Sequence, residues 1–186
     1  MDYKGVSTKE IAAAAGVSEM MLFRLLTINK EAITLKGQTA SAGFQIGVRR
    51  TFPISQEQAW DLLVSPEGLK LWLGDLSALE LQVGQGYTTK EGISGELRVV
   101  KLFQQLRMTW QPRGWEKSST LQIRIIPNPT NADKTTISFH QEKLKDVYTR
   151  ECMKKYWEEA ATRIMEKVKN RVAIIHSLRG RIKGGC

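Results

Sequence analysis

The chain has 186 residues, of which 41% are hydrophobic and 25% are charged, enough apolar material for one domain and a smaller appendage. No apolar run approaches the roughly eighteen residues that cross a membrane, and the N-terminus lacks a signal-peptide pattern, so we expect a cytoplasmic protein. Two cysteines, Cys152 and Cys186, exclude a disulfide framework.

The net charge of +9 is concentrated at the C-terminal end of the chain. Residues 163–186 hold seven Lys or Arg residues against one Asp or Glu. A basic end of this kind is typical of a solvated terminus that aids solubility, and a weak contact with nucleic acid or acidic lipid is the alternative.

Residues 1–33 contain two short predicted helices. Ser7 and Glu10 form a capping box at the start of the first helix, Gly16 ends it, and Ser18 is placed to cap the second. Two helices joined by a tight turn that contains Gly make a helix-turn-helix. The stretch resembles the DNA-binding half of tetracycline-repressor-type (TetR) regulators at residues 7–18, 22–24 and 29–33.

This resemblance implies DNA contacts from the second helix, at Ser18, Phe23 and Arg24. That family places a further helix in front of this pair, whereas six residues precede Ser7 here. Met20 and Met21 stand where the helix would face the groove, and neither can hydrogen-bond a base edge. We therefore expect a vestigial arm or a docking element, and weak or no binding of nucleic acid.

Residues 34–43 are small and polar and predict a linker. Apolar side chains then recur at period two over residues 44–52, which predicts a first strand that Pro53 ends. Residues 56–64 are typical of a short amphipathic helix, and Pro66 opens a further helical turn that reaches Trp72.

A run of strands and one long helix follow. The strands are predicted at residues 79–81, 87–89, 96–103, 106–110, 121–126 and 135–139. Residues 149–175 contain no Gly or Pro, and apolar residues recur three or four positions apart along the whole stretch. A helix of this length spans about 40 Å at 1.5 Å per residue, so it needs an equally long apolar partner.

The order of elements predicts an α+β fold. A sheet whose strands alternate between two faces must cover one of them, and the last helix is the element long enough to do so. We expect a helix-grip: a curved antiparallel sheet of about six or seven strands around a long C-terminal helix, with an N-terminal helical extension. The predicted divisions are a helix-turn-helix-like remnant at 1–33, a linker at 34–43, the helix-grip domain at 44–178 and a basic tail at 179–186.

Residues 60–72 (WDLLVSPEGLKLW) resemble the signature of the heat shock protein 90 ATPase activator-like family. Supporting matches lie at residues 50–53, 106–110 and 136–140, and at Trp157 in the last helix. That family belongs to the START-like (SRPBCC, Bet v 1-like) superfamily, so the resemblance implies the helix-grip fold over residues 44–170. It also implies a gap between helix and sheet, as members of the superfamily commonly have.

No catalytic or metal-binding constellation is evident in the sequence. His140 and His176 lie apart, without a Cys or acidic partner at ligand spacing, and no Cys/His set predicts a zinc site. Residues 84–89 begin like a dinucleotide-binding glycine pattern but lead into a strand, which indicates a hairpin turn. We therefore expect no catalytic residues, no metal and no cofactor.

The remaining candidates for a functional site are large apolar side chains. The large apolar side chains that we expect to meet where the helix crosses the sheet are Trp60, Trp72, Met108, Trp110, Phe139, Met153, Tyr156 and Trp157. A filled core is the ordinary interpretation of such a set, and the resemblance favours a lined pocket for an apolar or amphipathic small molecule. Arg98 and Arg107 alternate with apolar neighbours and are candidates for an anionic head group.

Three functions are compatible with these features. We expect a non-enzymatic domain that binds a hydrophobic small molecule. The first alternative is a ligand-responsive transcriptional regulator that uses the N-terminal helix-turn-helix. The second is binding of a co-chaperone-type partner, which the family name alone implies.

Overall fold

The computed structural model describes residues 38–39 and 43–182. The predicted helix-turn-helix at 1–33, with its DNA-contact candidates Ser18, Phe23 and Arg24, lies outside the described residues, as do most of the predicted linker and the last four residues of the tail.

The described strands form one antiparallel sheet of seven in the order β1-β2-β7-β6-β5-β4-β3. Their bounds are β1 Gln38–Thr39, β2 Gly43–Phe52, β3 Gly86–Thr88, β4 Ser94–Lys101, β5 Gln105–Trp110, β6 Ser119–Asn128 and β7 Asn131–Leu144. The described helices are α1 Gln56–Val64, α2 Pro66–Trp72 and α3 Val147–Ile182. The predicted α+β helix-grip is therefore confirmed.

Two short helices, α1 and α2, follow β2 in the chain. Ser65 both ends α1 and begins α2. Ser55 caps α1 in a capping box with Gln58. Ser65 terminates α1 through its backbone N–H, which donates to Asp61 O, and its side chain accepts from Gly68 N at the start of α2. This shared cap fixes the sharp turn between the two helices, and it brings Trp72 at the end of α2 under the long helix.

The predicted strand at residues 79–81 is wrong. The backbone there is used in turns, with Gln82 N donating to Glu80 O and Gln85 N donating to Gln82 O. The side chain of Leu79 is buried, although residues 79–81 do not pair with a neighbouring strand. The first strand after the helices is β3, and β6 and β7 are longer than predicted because their polar ends pair with each other from Thr120↔Glu142 to Asn128↔Asn131.

Helix α3 lies across the inner face of the sheet and buries Met153, Trp157, Ala160, Ile164 and Val168 at period three to four. It continues to Ile182, past the predicted domain boundary at 178. No helix within 38–39 and 43–182 is long and apolar enough to cross a membrane.

Three polar contacts hold α3 to the elements on either side. Tyr156 Oη donates to Trp72 O at 2.7 Å, and Arg163 Nε donates to Leu71 O at 3.0 Å. On the side of β2, Arg50 Nη1 donates to Thr162 Oγ1 at 2.9 Å. The carbonyls of Leu71 and Trp72 at the end of α2 lack intrahelical partners. Tyr156 and Arg163 supply those hydrogen bonds and thereby hold α3 against α2.

Candidate functional site

Five aromatic rings meet where α3 crosses the inner face of the sheet, and we call this set the aromatic cluster: Trp110, Trp115, Phe139, Tyr156 and Trp157. Trp110 is at the centre, with ring centroids 5.7 Å from Trp115, 5.8 Å from Tyr156 and 6.0 Å from Trp157. Trp157 also stacks on Phe139 at 4.9 Å and meets Tyr156 edge-on at 4.9 Å. These separations are those of favourable aromatic pairs.

The cluster reaches from the core to the surface. Phe139 on β7 and Trp157 on α3 are fully buried, as is Trp110 at the end of β5. Tyr156 on α3 and Trp115 in the loop between β5 and β6 are half-buried. The rings therefore form a continuous apolar path from solvent to the centre of the domain.

A buried chain of hydrogen bonds runs beside the rings. Trp157 Nε1 donates to Gln141 Oε1 at 2.8 Å, and Gln141 Nε2 donates to Ser119 Oγ at 2.8 Å. Ser119 Oγ in turn donates to Trp110 O at 2.8 Å. Buried polar groups are costly unless they are paired, and these pairs link α3, β7, β6 and β5 into one arrangement.

One buried donor at the centre of the cluster has no partner among the described residues. Trp110 Nε1 is excluded from solvent and meets no acceptor. The indole nitrogens of Trp72 and Trp157, by contrast, donate to Leu63 O at 2.9 Å and to Gln141 Oε1 at 2.8 Å. A buried donor left unpaired costs about 1–3 kcal/mol.

Burial also changes the chemistry of Tyr156. Removal of the hydroxyl from water raises the pKa of Tyr156 to about 12, and its O–H donates to Trp72 O. The phenol is therefore neutral at physiological pH. It serves as a structural donor, because deprotonation would remove the bond that holds α3 to α2.

The structure brings most of the predicted ligand residues together. Four of the eight predicted side chains are members of the aromatic cluster, and Trp72 joins it through its carbonyl oxygen, which accepts from Tyr156. Met108 and Met153 are fully buried in the same core. Trp60 lies elsewhere in that core, with its ring 5.9 Å from the ring of Phe103 in the β4–β5 turn.

Sequence reasoning missed three members of this region: Trp115, Gln141 and Ser119. Trp115 belongs to a polar loop that has no periodicity, so no local signal indicates the direction of its ring. Gln141 continues the inward alternation of Ile137 and Phe139. A polar residue at an inward position needs hydrogen-bond partners, so the sequence pattern could have predicted a buried hydrogen-bond network here.

Two open clefts lie on the surface, away from these rings. The first, of about 520 Å³, lies between β2 and α3 and is lined by charged residues that include Arg50, Lys155 and Glu158. The second, of about 480 Å³, lies beside Gly86 and Thr109 at the β3 edge. None of the eight predicted ligand residues lines either cleft.

The charged candidates lie on the opposite face of the sheet. Arg107 alternates with buried neighbours along β5 and pairs with Glu142 at 3.5 Å, and Arg98 pairs with Glu96 at 3.0 Å. His140 Nδ1 lies 3.3 Å from Glu142. The two arginines therefore face away from the aromatic cluster, and the expectation that one of them reaches a ligand head group there is wrong.

The described residues hold no group of three or more His, Cys, Asp or Glu side chains that could bind a metal ion. Cys152 is a buried free thiol near the start of α3. Burial raises the pKa of Cys152 to about 11, so the group is a thiol at neutral pH rather than the thiolate that nucleophilic chemistry requires.

Comparison with known proteins agrees with this fold. The family model described as "Activator of Hsp90 ATPase homolog 1-like protein" matches residues 53–169. No curated protein matches the chain.

Several solved structures share the fold. Protein MLL2253 from Mesorhizobium loti is 20% identical, with a TM-score of 0.56 over 68% of this chain and 97% of that one. CalU16 from Micromonospora echinospora is 18% identical, with a TM-score of 0.59 over 78% of this chain and 90% of that one. Protein CV1439 from Chromobacterium violaceum is 17% identical, with a TM-score of 0.55 over 67% of this chain and 96% of that one. At these identities the likeness shows the fold alone.

Proposed function

This chain belongs to the activator of Hsp90 ATPase homolog 1-like family, and from that premise we propose that it binds an apolar or amphipathic small molecule between α3 and the sheet, without catalysing a reaction. The predicted ligand residues, with Trp60 set aside, provide the binding surface, and Trp115 covers it on the solvent side. The protein then acts as a carrier or sensor of its ligand.

The observation that carries this proposal is the continuity of the aromatic cluster from the core to the surface. The cluster ends in the half-buried rings of Trp115 and Tyr156, where a ligand can reach it from solvent. Ligand sites are typically apolar and aromatic, with a small number of placed polar groups. The unpaired Trp110 Nε1 provides such a group here.

The chemistry of the described residues favours binding over catalysis. The cluster and the hydrogen-bond chain beside it contain indole, phenol, phenyl, amide and hydroxyl groups, and burial raises the pKa of Tyr156 further above neutrality. General acid–base catalysis requires a group that changes protonation near the working pH. Within the cluster, the protein's own side chains are suited to orient and desolvate a ligand.

Titration of the full chain with an apolar probe tests this function. We expect fluorene, a flat aromatic hydrocarbon, to quench intrinsic tryptophan fluorescence and to raise the melting temperature. At a hundredfold excess of free ligand over Kd, linkage stabilises the folded state by about 2.7 kcal/mol. Laurate tests an acyl chain in the same way. A saturating dose of both probes with no shift in the melt would refute the proposal.

The two other functions stay predictions. The regulator hypothesis rests on Ser18, Phe23 and Arg24, which lie outside the described residues. A mobility-shift assay on the promoter of its own gene tests it, with binding that depends on Arg24 as the supporting result. The co-chaperone hypothesis rests on the name of the family.

A further inference from the structure

We infer that the ligand is a planar aromatic molecule with a neutral hydrogen-bond acceptor, and that this acceptor binds Nε1 of Trp110. The inference rests on the proposed function, since it names the chemical class of molecule that the aromatic cluster takes.

The first argument is the unpaired donor. Buried polar groups in folded proteins nearly always have a partner, and each exception calls for an explanation. Trp110 is 1% exposed, and its Nε1 has no acceptor among the described residues. A phenylalanine would supply a smaller apolar ring at this position without an unpaired donor, so the unpaired N–H calls for an explanation. A ligand acceptor supplies one.

The second argument is that the nearby protein acceptors are already engaged. Gln141 Oε1 accepts from Trp157, and Ser119 Oγ accepts from Gln141. Trp110 O accepts from Ser119. The hydrogen-bond chain beside the cluster therefore runs from Trp157 Nε1 to Trp110 O without using Trp110 Nε1.

The third argument concerns the shape of the ligand. Three rings lie around Trp110, at centroid distances of 5.7–6.0 Å. A flat π-system can replace a ring in such an arrangement and retain the offset or edge-to-face geometry that aromatic pairs prefer. An acyl chain would lose these ring-to-ring contacts.

Trp115 is the ring that such a ligand replaces. It lies edge-on to Trp110 with an interplanar angle of 84°, and it is the cluster member carried by a loop. Its backbone is held by bonds within that loop: Trp115 N donates to Pro112 O at 3.1 Å, and Gln111 Nε2 donates to Trp115 O at 2.6 Å. Moving this ring therefore leaves the strands and α3 in place, whereas moving any other ring of the cluster would not.

The fourth argument concerns charge. The groups of the cluster and of its hydrogen-bond chain are all neutral side chains, and the pKa of Tyr156 is raised by burial. The cation that acts on Tyr156 is Arg163, and its guanidinium already donates to Leu71 O at 3.0 Å. A carboxylate or phosphate at Trp110 Nε1 would be buried among neutral groups, which is far costlier than burial of a neutral carbonyl. The acceptor is therefore a carbonyl oxygen or a ring nitrogen.

A matched pair of probes tests the inference on the full chain. Fluorene and 9-fluorenone have the same planar tricyclic frame and differ by one carbonyl oxygen. We expect the wild-type protein to bind 9-fluorenone about five- to tenfold more tightly than fluorene, the effect of one buried hydrogen bond. Trp110→Phe should reduce this ratio to about one, because the donor is lost, whereas the smaller ring weakens the binding of both probes alike.

Trp60→Phe is the matched control. It makes the same change at a tryptophan that lies elsewhere in the core, against Phe103 and outside the proposed binding surface, so the preference for 9-fluorenone should persist. The indole N–H signals of the wild-type protein give a second readout. Of the five tryptophans, the Trp110 signal should move downfield with 9-fluorenone and much less with fluorene.

Each outcome separates the two proposals. Equal affinity for the two probes, or a preference that survives in Trp110→Phe, overturns the inference and leaves the binding function intact. Binding of neither probe overturns the inference, and the binding function is overturned with it when laurate also fails to bind. If Trp110→Phe does not fold, the wild-type affinity ratio and the Trp110 signal decide the matter.

Discussion

The indole of Trp157 on α3 donates a hydrogen bond to Oε1 of Gln141 on β7 across 2.8 Å, and both side chains are fully buried. This bond joins the long helix to the central strands through polar groups in an otherwise apolar interface. A polar pair at this depth specifies the register of the helix on the sheet, because any shift would leave both groups unpaired.

The first prediction concerns that bond. Gln141→Leu removes the acceptor of Trp157 and the donor to Ser119, and we expect the free energy of unfolding to fall by about 1–3 kcal/mol. Denaturant unfolding measures the loss. Gln122→Leu makes the same change on the outer face of the sheet, beside Gln105, and should cost less than about 0.5 kcal/mol. Equal losses of unfolding free energy in the two variants would show that the buried hydrogen bond stabilises the fold no more than the exposed one does.

The second prediction concerns Trp115 as the ring at the entrance. Trp115→Ala should speed ligand association, measured by stopped-flow fluorescence with 9-fluorenone, because no ring then has to move out. Loss of a half-buried ring should lower the free energy of unfolding by about 2 kcal/mol, less than the 3–5 kcal/mol typical of a fully buried one. Phe103→Ala, at the far end of the core, is the control. An association rate unchanged in Trp115→Ala would argue against this path of entry.

The third prediction concerns the turn between α1 and α2. A Cβ added at Gly68 would lie 1.5 Å from Leu62 O, so α2 must shift to accommodate Gly68→Ala. We expect a loss of about 3 kcal/mol in the free energy of unfolding, at the upper end for overpacking. Gly84→Ala is the comparison, because a Cβ there meets nothing within 4 Å and the cost is the strain of φ +87°. Thermal melts in which Gly84→Ala loses as much as Gly68→Ala would contradict this prediction.

The fourth prediction concerns alkaline pH. The folded-state pKa of Tyr156, raised by burial to about 12, lies above its ordinary value of 10.0, so the unfolded chain loses this proton at lower pH than the folded one. The stability that results is fully present below pH 10 and is lost as the pH rises from 10 towards 12. Melting temperatures of the wild type should therefore fall over this interval, and those of Tyr156→Phe should fall less steeply.

The raised pKa values of Tyr87 and Cys152 contribute a decline of the same sign, because burial is the main cause in both. The comparison with Tyr156→Phe therefore isolates the single tyrosine. Parallel curves for wild type and variant would show that Tyr156 titrates alike in the folded and unfolded states.

The sequence alone determined the fold class and the inward face of most elements. Period-two alternation along 135–139 and apolar spacing of three to four along α3 follow from local geometry, since a side chain's direction depends on its own backbone. Ile137, Phe139, Met153 and Trp157 were predictable as core residues for this reason, and all four are buried. The prediction of a strand at 79–81 was wrong. Three residues are too few for an alternating pattern to distinguish a strand from a turn that buries one leucine.

The tertiary structure alone decided which of these residues meet. The crossing of α3 over the sheet brings Trp157 to Gln141 and leaves Trp60 against Phe103, and the β5–β6 loop carries Trp115 onto Trp110. These contacts join residues from separate elements, and they depend on strand register and helix placement rather than on local periodicity. The unpaired Nε1 of Trp110 is a property of that assembled environment, so no local pattern in the chain predicts it.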